Sequence, residues 1–242
     1  MENVSRSHLH HQRVGGIAAL YMAAAYIAAI PYFLLVVDYR SATSPAAKLA
    51  MVARNFGSLS AMTTATYGIF GLALIIVALA LYSRLKGSES PVARLSAGVG
   101  LVWACLLIAS GSVFVFGMKT VLALRVTDAA GAASAWSTIE AISNGLGGGS
   151  GEIVGGPWVL LVSWAGMHSR GLPKALNWLG IATGLLGLAS IVPPLSDAAV
   201  AFGMLQIPWL VWLGICLLRT RESDCSMQTG MDYVHQGTAV RC

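Results

Sequence analysis

Six long apolar stretches, separated by short connectors that hold most of the charge, leave this chain a narrow choice of solvent. They cover residues 14–37, 58–82, 95–118, 151–169, 176–195 and 198–218. In a bilayer the backbone has to satisfy its own hydrogen bonds, so stretches of this kind become helices. About 20 residues cross a hydrocarbon core roughly 30 Å thick. The chain has 242 residues, 56% of them hydrophobic and 10% charged. A soluble domain carries about 25% charged residues. With mean hydropathy +0.72, the expected fold is all-α: an integral membrane bundle of six transmembrane helices. One domain, 14–220, is expected between a polar cytoplasmic N-terminal tail, 1–13, and a polar, disordered cytoplasmic tail, 221–242. The first apolar stretch is longer than the roughly 7–15 residues of a signal-peptide core, so an uncleaved span is expected.

A net charge of +5 and a pI near 9.2 raise the question of nucleic acid. The basic residues lie in short connectors between apolar spans, which is the pattern of membrane orientation. With both termini on one side, that side holds 10 Lys and Arg and the other 5. Both termini are therefore expected in the cytoplasm, with the lipid bilayer as partner and no nucleic acid. Cys105 and Cys216 fall inside spans and Cys225 and Cys242 in the tail, so no disulfide framework arises. His8, His10 and His11 form an N-terminal triplet without support from an outer shell of partners. No metal or cofactor is expected.

The most informative stretch is 144–168, NGLGGGSGEIVGGPWVLLVSWAGMH. The apolar part is too short to cross a bilayer, so the fourth helix is expected to begin in the glycine run. Ser150 would cap it and Glu152 would sit in the first turn, where the helix dipole favours a carboxylate. Pro157 would then kink it. Gly147, Gly151 and Gly155 recur every four residues, and Gly180 and Gly184 repeat the spacing in the fifth span. Such faces let helices approach closely. An irregular re-entrant loop over 144–156 is the other option. Glu152 has two readings. It serves a proton, cation or polar ligand inside the membrane, or it is an interfacial carboxylate beside a packing face.

Other polar residues join this candidate site. Thr63, Thr64 and Tyr67 make the start of the second span polar. Their hydroxyls either bond back to their own helix or line a small cavity. Gln206 is buried by position and needs a partner. Asn144 opens the glycine run within a turn signal, Asn144-Gly145. The candidate ligand-binding set is therefore Glu152, Asn144, Thr63, Thr64, Tyr67 and Gln206. In the first outer connector, Leu49, Val52 and Phe56 share one face, as in an interfacial amphipathic helix. In the connector 119–149, residues 129–135 read as flexible and Trp136 as an interface residue, and the connector is placed to cap the site.

GLGGGSGEIVGGPWVLLVSW, GLPKALNWLGIATGLLGL and FGMLQIPWLVWLGICLLR, with GGIAALYMAAAYIAAIPYFLLVVDY near the start, resemble a bacterial family catalogued as domain of unknown function 4386. The resemblance covers residues 14–220. It implies a small multi-helix protein of the bacterial inner membrane and carries no activity with it. No nucleotide-binding, zinc-protease or nucleophile-elbow motif is present. A carboxylate pair of Glu152 and Glu140 is the one candidate for acid–base chemistry, so an enzyme is not the expected class. Two readings lead. One is a module that binds or transports a small cation or polar molecule near Glu152. The other is a non-catalytic assembly protein that packs against itself or another membrane protein through its Gly and Ala faces.

Overall fold

The computed structural model describes residues 2–37, 39, 41–86, 91–148, 153–169 and 171–219. Among these the regular structure is entirely helical. Helix α1 is Glu2–Pro31, prolonged by a π-helical turn, Tyr32–Val36. Helix α2, Pro45–Thr63, runs through a second π turn, Thr64–Ile69, into α3, Phe70–Leu85. Then come α4, Pro91–Leu124, and α5, Ala129–Ser143, which ends in a third π turn, Asn144–Gly148. The remaining helices are α6, Gly155–Ser169; α7, Lys174–Ala189; and α8, Ala198–Leu218.

Four helical stretches are long and apolar enough to cross a membrane: Leu9–Val36, Pro45–Leu85, Pro91–Leu124 and Ala198–Leu218. The chain is thus a membrane-embedded all-α protein. Helices α6 and α7 have 15 and 16 residues. At about 1.5 Å per residue they are some 22–24 Å long, short of a core of about 30 Å. Length alone therefore supports four of the six expected spans. The expected 151–169 span begins later: Ile153 and Val154 form a turn, and α6 starts at Gly155. The expected 176–195 span ends at Ala189, ahead of Pro193 and Pro194, which form a separate short turn.

Local chemistry explains the other departures. Pro157 is the third residue of α6, where its missing N–H is one the helix start leaves unpaired anyway. The kink expected of an interior proline has no hydrogen bond there to break. Residues 129–135 are not flexible. Asp128 caps them, its carboxylate accepting from Gly131 N at 2.8 Å, and they open α5. Trp136 is not an interface residue but fully buried, edge-on to Phe114 at 5.1 Å between ring centroids. The polar segment 2–13 continues α1. Its Gln12 is buried and donates to Ala80 O and Ser83 Oγ, both at 2.9 Å.

Two apolar cores are stacked along the bundle. The larger joins α1, α3, the first half of α4, α6, α7 and α8 around Trp103, Trp158, Trp209 and Phe202. The smaller joins Val37, α2, the far end of α4 and α5 around Leu59, Met118 and Trp136. As expected, Leu49 and Val52 of α2 turn inward together, here into that second core.

Contacts along α4 show how the chain passes from one core to the other. Gly117 meets Ile139, and Ser110 and Ser143 exchange hydrogen bonds, each hydroxyl donating to the other's carbonyl at 2.9 and 3.1 Å. Further down, Leu107 lies against Gly147 and Gly100 against Trp158. Helix α5, the third π turn and α6 therefore descend α4 in succession, as two half-helices with a break between them. Gly147 sits in the break with φ 142°, a conformation that favours glycine. Gly16 of α1 packs on Gly214 and Leu218 near the end of α8.

Candidate functional site

A cavity of about 970 Å³ lies where the two cores meet. All three π turns border it: Phe33 and Leu34 from the first, Thr66 and Tyr67 from the second, Asn144 and Gly147 from the third. A π turn inserts a residue into a helix, rotates the turns beyond it and releases carbonyls, which is why such turns recur at functional sites. In the second π turn, Ala65 O accepts from the Tyr21 hydroxyl at 2.8 Å as well as from the Phe70 N–H.

The polar end of the cavity belongs to the second core. Lys48, in the first turn of α2, reaches across to Glu140 in the last turn of α5. Its ammonium donates to both carboxylate oxygens at 2.8 Å. The side chains are 27% and 13% exposed, so the pair is largely withdrawn from water. Lys48 Nζ also lies 5.3 Å from the centre of the Tyr39 ring, a cation–π arrangement. The Tyr39 hydroxyl is buried and has no hydrogen bond of good geometry, and the same holds for Tyr32 and for the Trp136 indole N–H.

Burial, and after it the adjacent Glu140 carboxylate, hold the Tyr39 phenol well above its ordinary pKa of 10.0. The folded pKa thus exceeds the unfolded one. Stability from this group is complete below pH 10.0 and declines as pH rises beyond it, because the unfolded chain sheds the proton first. Tyr39→Phe is expected to flatten the alkaline fall in melting temperature between about pH 9 and 11. Equal slopes for the two proteins would remove the argument.

The candidate residues of the sequence fall in different places. Thr63, Tyr67 and Asn144 line the cavity. Thr64 does not; it is exposed and donates to Ser60 O at 2.8 Å, the back-bonding alternative. Thr66, its neighbour, lines the cavity while donating to Met62 O. Gln206 lies in the larger core, fully buried, and neither end of its amide finds a partner among the described residues. Glu152 and Gly151 lie outside the described residues. Gly147 lines the cavity. Gly155 is buried at the start of α6. Gly184 touches Leu160 and Gly156 O, and Gly180 touches Ser163 and Trp209, so both glycines serve packing inside the chain.

Lys48, Tyr39 and the role of Glu140 are absent from the set read off the sequence. The available signal was charge. Lys48 and Glu140 stand in different connectors of a charge-poor chain, and a partner is the usual reason such residues are tolerated.

Fold and site together define a class: a membrane-embedded helical protein with a partly open cavity between its helices, mostly apolar along its walls and charged at one end. The chain belongs to the family described as Domain of unknown function (DUF4386), which matches residues 17–218. No curated protein and no solved structure matches it.

Proposed function

We propose that this is a six-pass protein of the bacterial inner membrane that binds a small molecule in the cavity between its two cores. In this reading α5 and α6 make one discontinuous pass, α7 makes another, and both termini are cytoplasmic. The cavity then opens toward the outer half of the membrane. The carrying observation is convergence. An ion pair and three π turns, drawn from three continuous stretches of helix, meet at one space. A charged pair largely withdrawn from water beside an otherwise apolar cavity is the pattern of a ligand site. Broken helices whose ends face a central site are a recurrent way to build one. The site proposed from the glycine run moves accordingly, from Glu152 to Glu140 and Lys48, with Asn144 and Gly147 contributing from the edge of the run.

Native mass spectrometry of the protein, gently extracted from its host membrane, tests this. The wild type is expected to retain a bound small molecule. A Lys48→Met, Glu140→Leu double variant removes both charges together and so strands neither; it is expected to lose the molecule. An adduct-free wild type, or an adduct unchanged in the variant, would rule out the reading.

The alternative role in assembly draws less support. The glycine faces that suggest it are occupied within the chain, Gly156 against Gly184 and Gly187, and Gly16 against Gly214.

A further inference from the structure

We infer that the cavity takes an amphiphile from the bilayer itself: a zwitterionic phosphoethanolamine lipid whose head meets Lys48 and Glu140 and one of whose chains lies against α1, α4 and α8. The inference rests on the binding reading above and gives it a ligand class.

Size and wall chemistry come first. A bare cation or a small metabolite needs little of a 970 Å³ space, which stands near the top of the range of about 300–1,000 Å³ for small-molecule sites. The charged pair and the Asn144 amide are confined to the side built by α2, α5 and the π turns, while Tyr26 of α1 lies beside Gly203. The α8 wall consists of Ala199, Val200, Gly203 and Met204, and Leu107 and Phe114 of α4 extend the apolar lining. A ligand that fills this shape is polar at one end only.

The charge pattern narrows the head group. Among the described residues lining the cavity, Lys48 and Glu140 are the charged ones, and they balance. A cationic or anionic head would satisfy one and displace the other. A zwitterion presents an ammonium for Glu140 and a phosphate for Lys48, so each charge keeps a partner.

The third argument is access. Low in the bundle α1 and α8 touch backbone to backbone: a Cβ built on Gly214 would lie 2.8 Å from Leu20 Cγ and 3.0 Å from Gly16 O. Higher up they part, and a Cβ built on Gly203 meets only Tyr26 Cε1, at 3.8 Å. At that level Ile30, Leu34, Val200 and Met204 line the cavity and are also exposed, from 38% to 61%. These residues lie in helices long and apolar enough to cross the membrane, so the gap between α1 and α8 opens toward lipid. A chain can enter sideways without leaving hydrocarbon.

The test uses the full-length protein in phosphatidylcholine vesicles doped with a phosphoethanolamine lipid that carries a diazirine near the end of one chain. After illumination the labelled peptides are mapped. Labels are expected on Leu107 and Phe70 and around Thr63, and on the exposed Trp178 face of α7 as an internal reference. Gly203→Trp plugs the gap and is expected to cut the cavity labels about tenfold relative to that reference, whereas Gly203→Ala leaves them in place. Val200→Trp serves as the second plug if Gly203→Trp fails to fold. Cavity labels insensitive to either plug, or equally strong with a phosphoglycerol analogue, overturn the inference. Where cavity labels are absent but free O-phosphoethanolamine stabilises the wild type and not the Lys48→Met, Glu140→Leu variant, the amphiphile is refuted and the binding reading stands. With neither labels nor stabilisation, both are refuted.

Discussion

Gly156→Leu is expected to cost the protein about 3 kcal/mol or more of stability, and to do so by forcing α6 away from α7. The reason is the set of atoms a side chain would meet. A Cβ on Gly156 would lie 2.9 Å from Leu188 N, 3.0 Å from Gly184 O and 3.0 Å from the Gly187 carbonyl carbon. All three are backbone atoms, so no rotamer change relieves the clash. Within a bilayer helices gain little by hiding from lipid and depend on close packing, so losing such a contact removes much of what joins the pair. Gly156→Ala should fall lower, at about 1–3 kcal/mol. Gly98→Leu is the control, since Gly98 of α4 is exposed and nothing lies within 4 Å of its Cβ position. Unfolding by denaturing detergent, followed through far-ultraviolet circular dichroism, measures the difference. If Gly156→Leu stays within about 0.5 kcal/mol of Gly98→Leu, the close packing is not what holds α6 to α7.

Glu140→Ala is expected to destabilise by about 1–3 kcal/mol, and more than the double variant that also removes the lysine. The single substitution leaves the Lys48 ammonium facing an apolar cavity with 27% of its side chain exposed. That remaining exposure keeps the effect below the range for a fully buried pair. Lys48→Met with Glu140→Leu is expected to recover most of the loss, because desolvation of both charges is abolished with the attraction. A double-mutant cycle reads the coupling directly. Coupling indistinguishable from zero would mean that the pair does not join α2 to α5 energetically, and the polar end of the cavity would lose its anchor.

The glycine run shows how far sequence patterning reaches. The repeat every four residues points to Gly147, Gly151 and Gly155 as a close-packing surface, whereas the backbone contact with Gly184 is made by the neighbouring Gly156. Where the helix starts is another matter. Ser150 and Gly151 lie outside the described residues, and α6 begins at Gly155. Cap preferences are worth only about 1 kcal/mol, and the packing of Trp158 against Gly100 of α4 and of Gly156 against α7 outweighs them. Trp136 makes the same point. An amphipathic ring beside a membrane is ordinarily placed at the interface, but the wall of α2 and α4 makes a core there and the indole is buried in it.

Composition and apolar periodicity determined the all-α membrane class, because that depends on each segment meeting its solvent or its nearest neighbour. The inward face of α2 is of that kind. The cavity is not. Lys48 and Glu140 lie 92 residues apart; Thr63 shares α2 with Lys48, Asn144 follows Glu140 out of α5, and Tyr39 comes from the connector after α1. Their meeting depends on three π turns, each a one-residue change in helical winding with no strong side-chain signature, and on a break between α5 and α6 whose placement is set by packing along α4. Local sequence decides which segments are helices. Only the way those helices register against one another decides which side chains share a space, and that register is a sum over contacts no single segment contains.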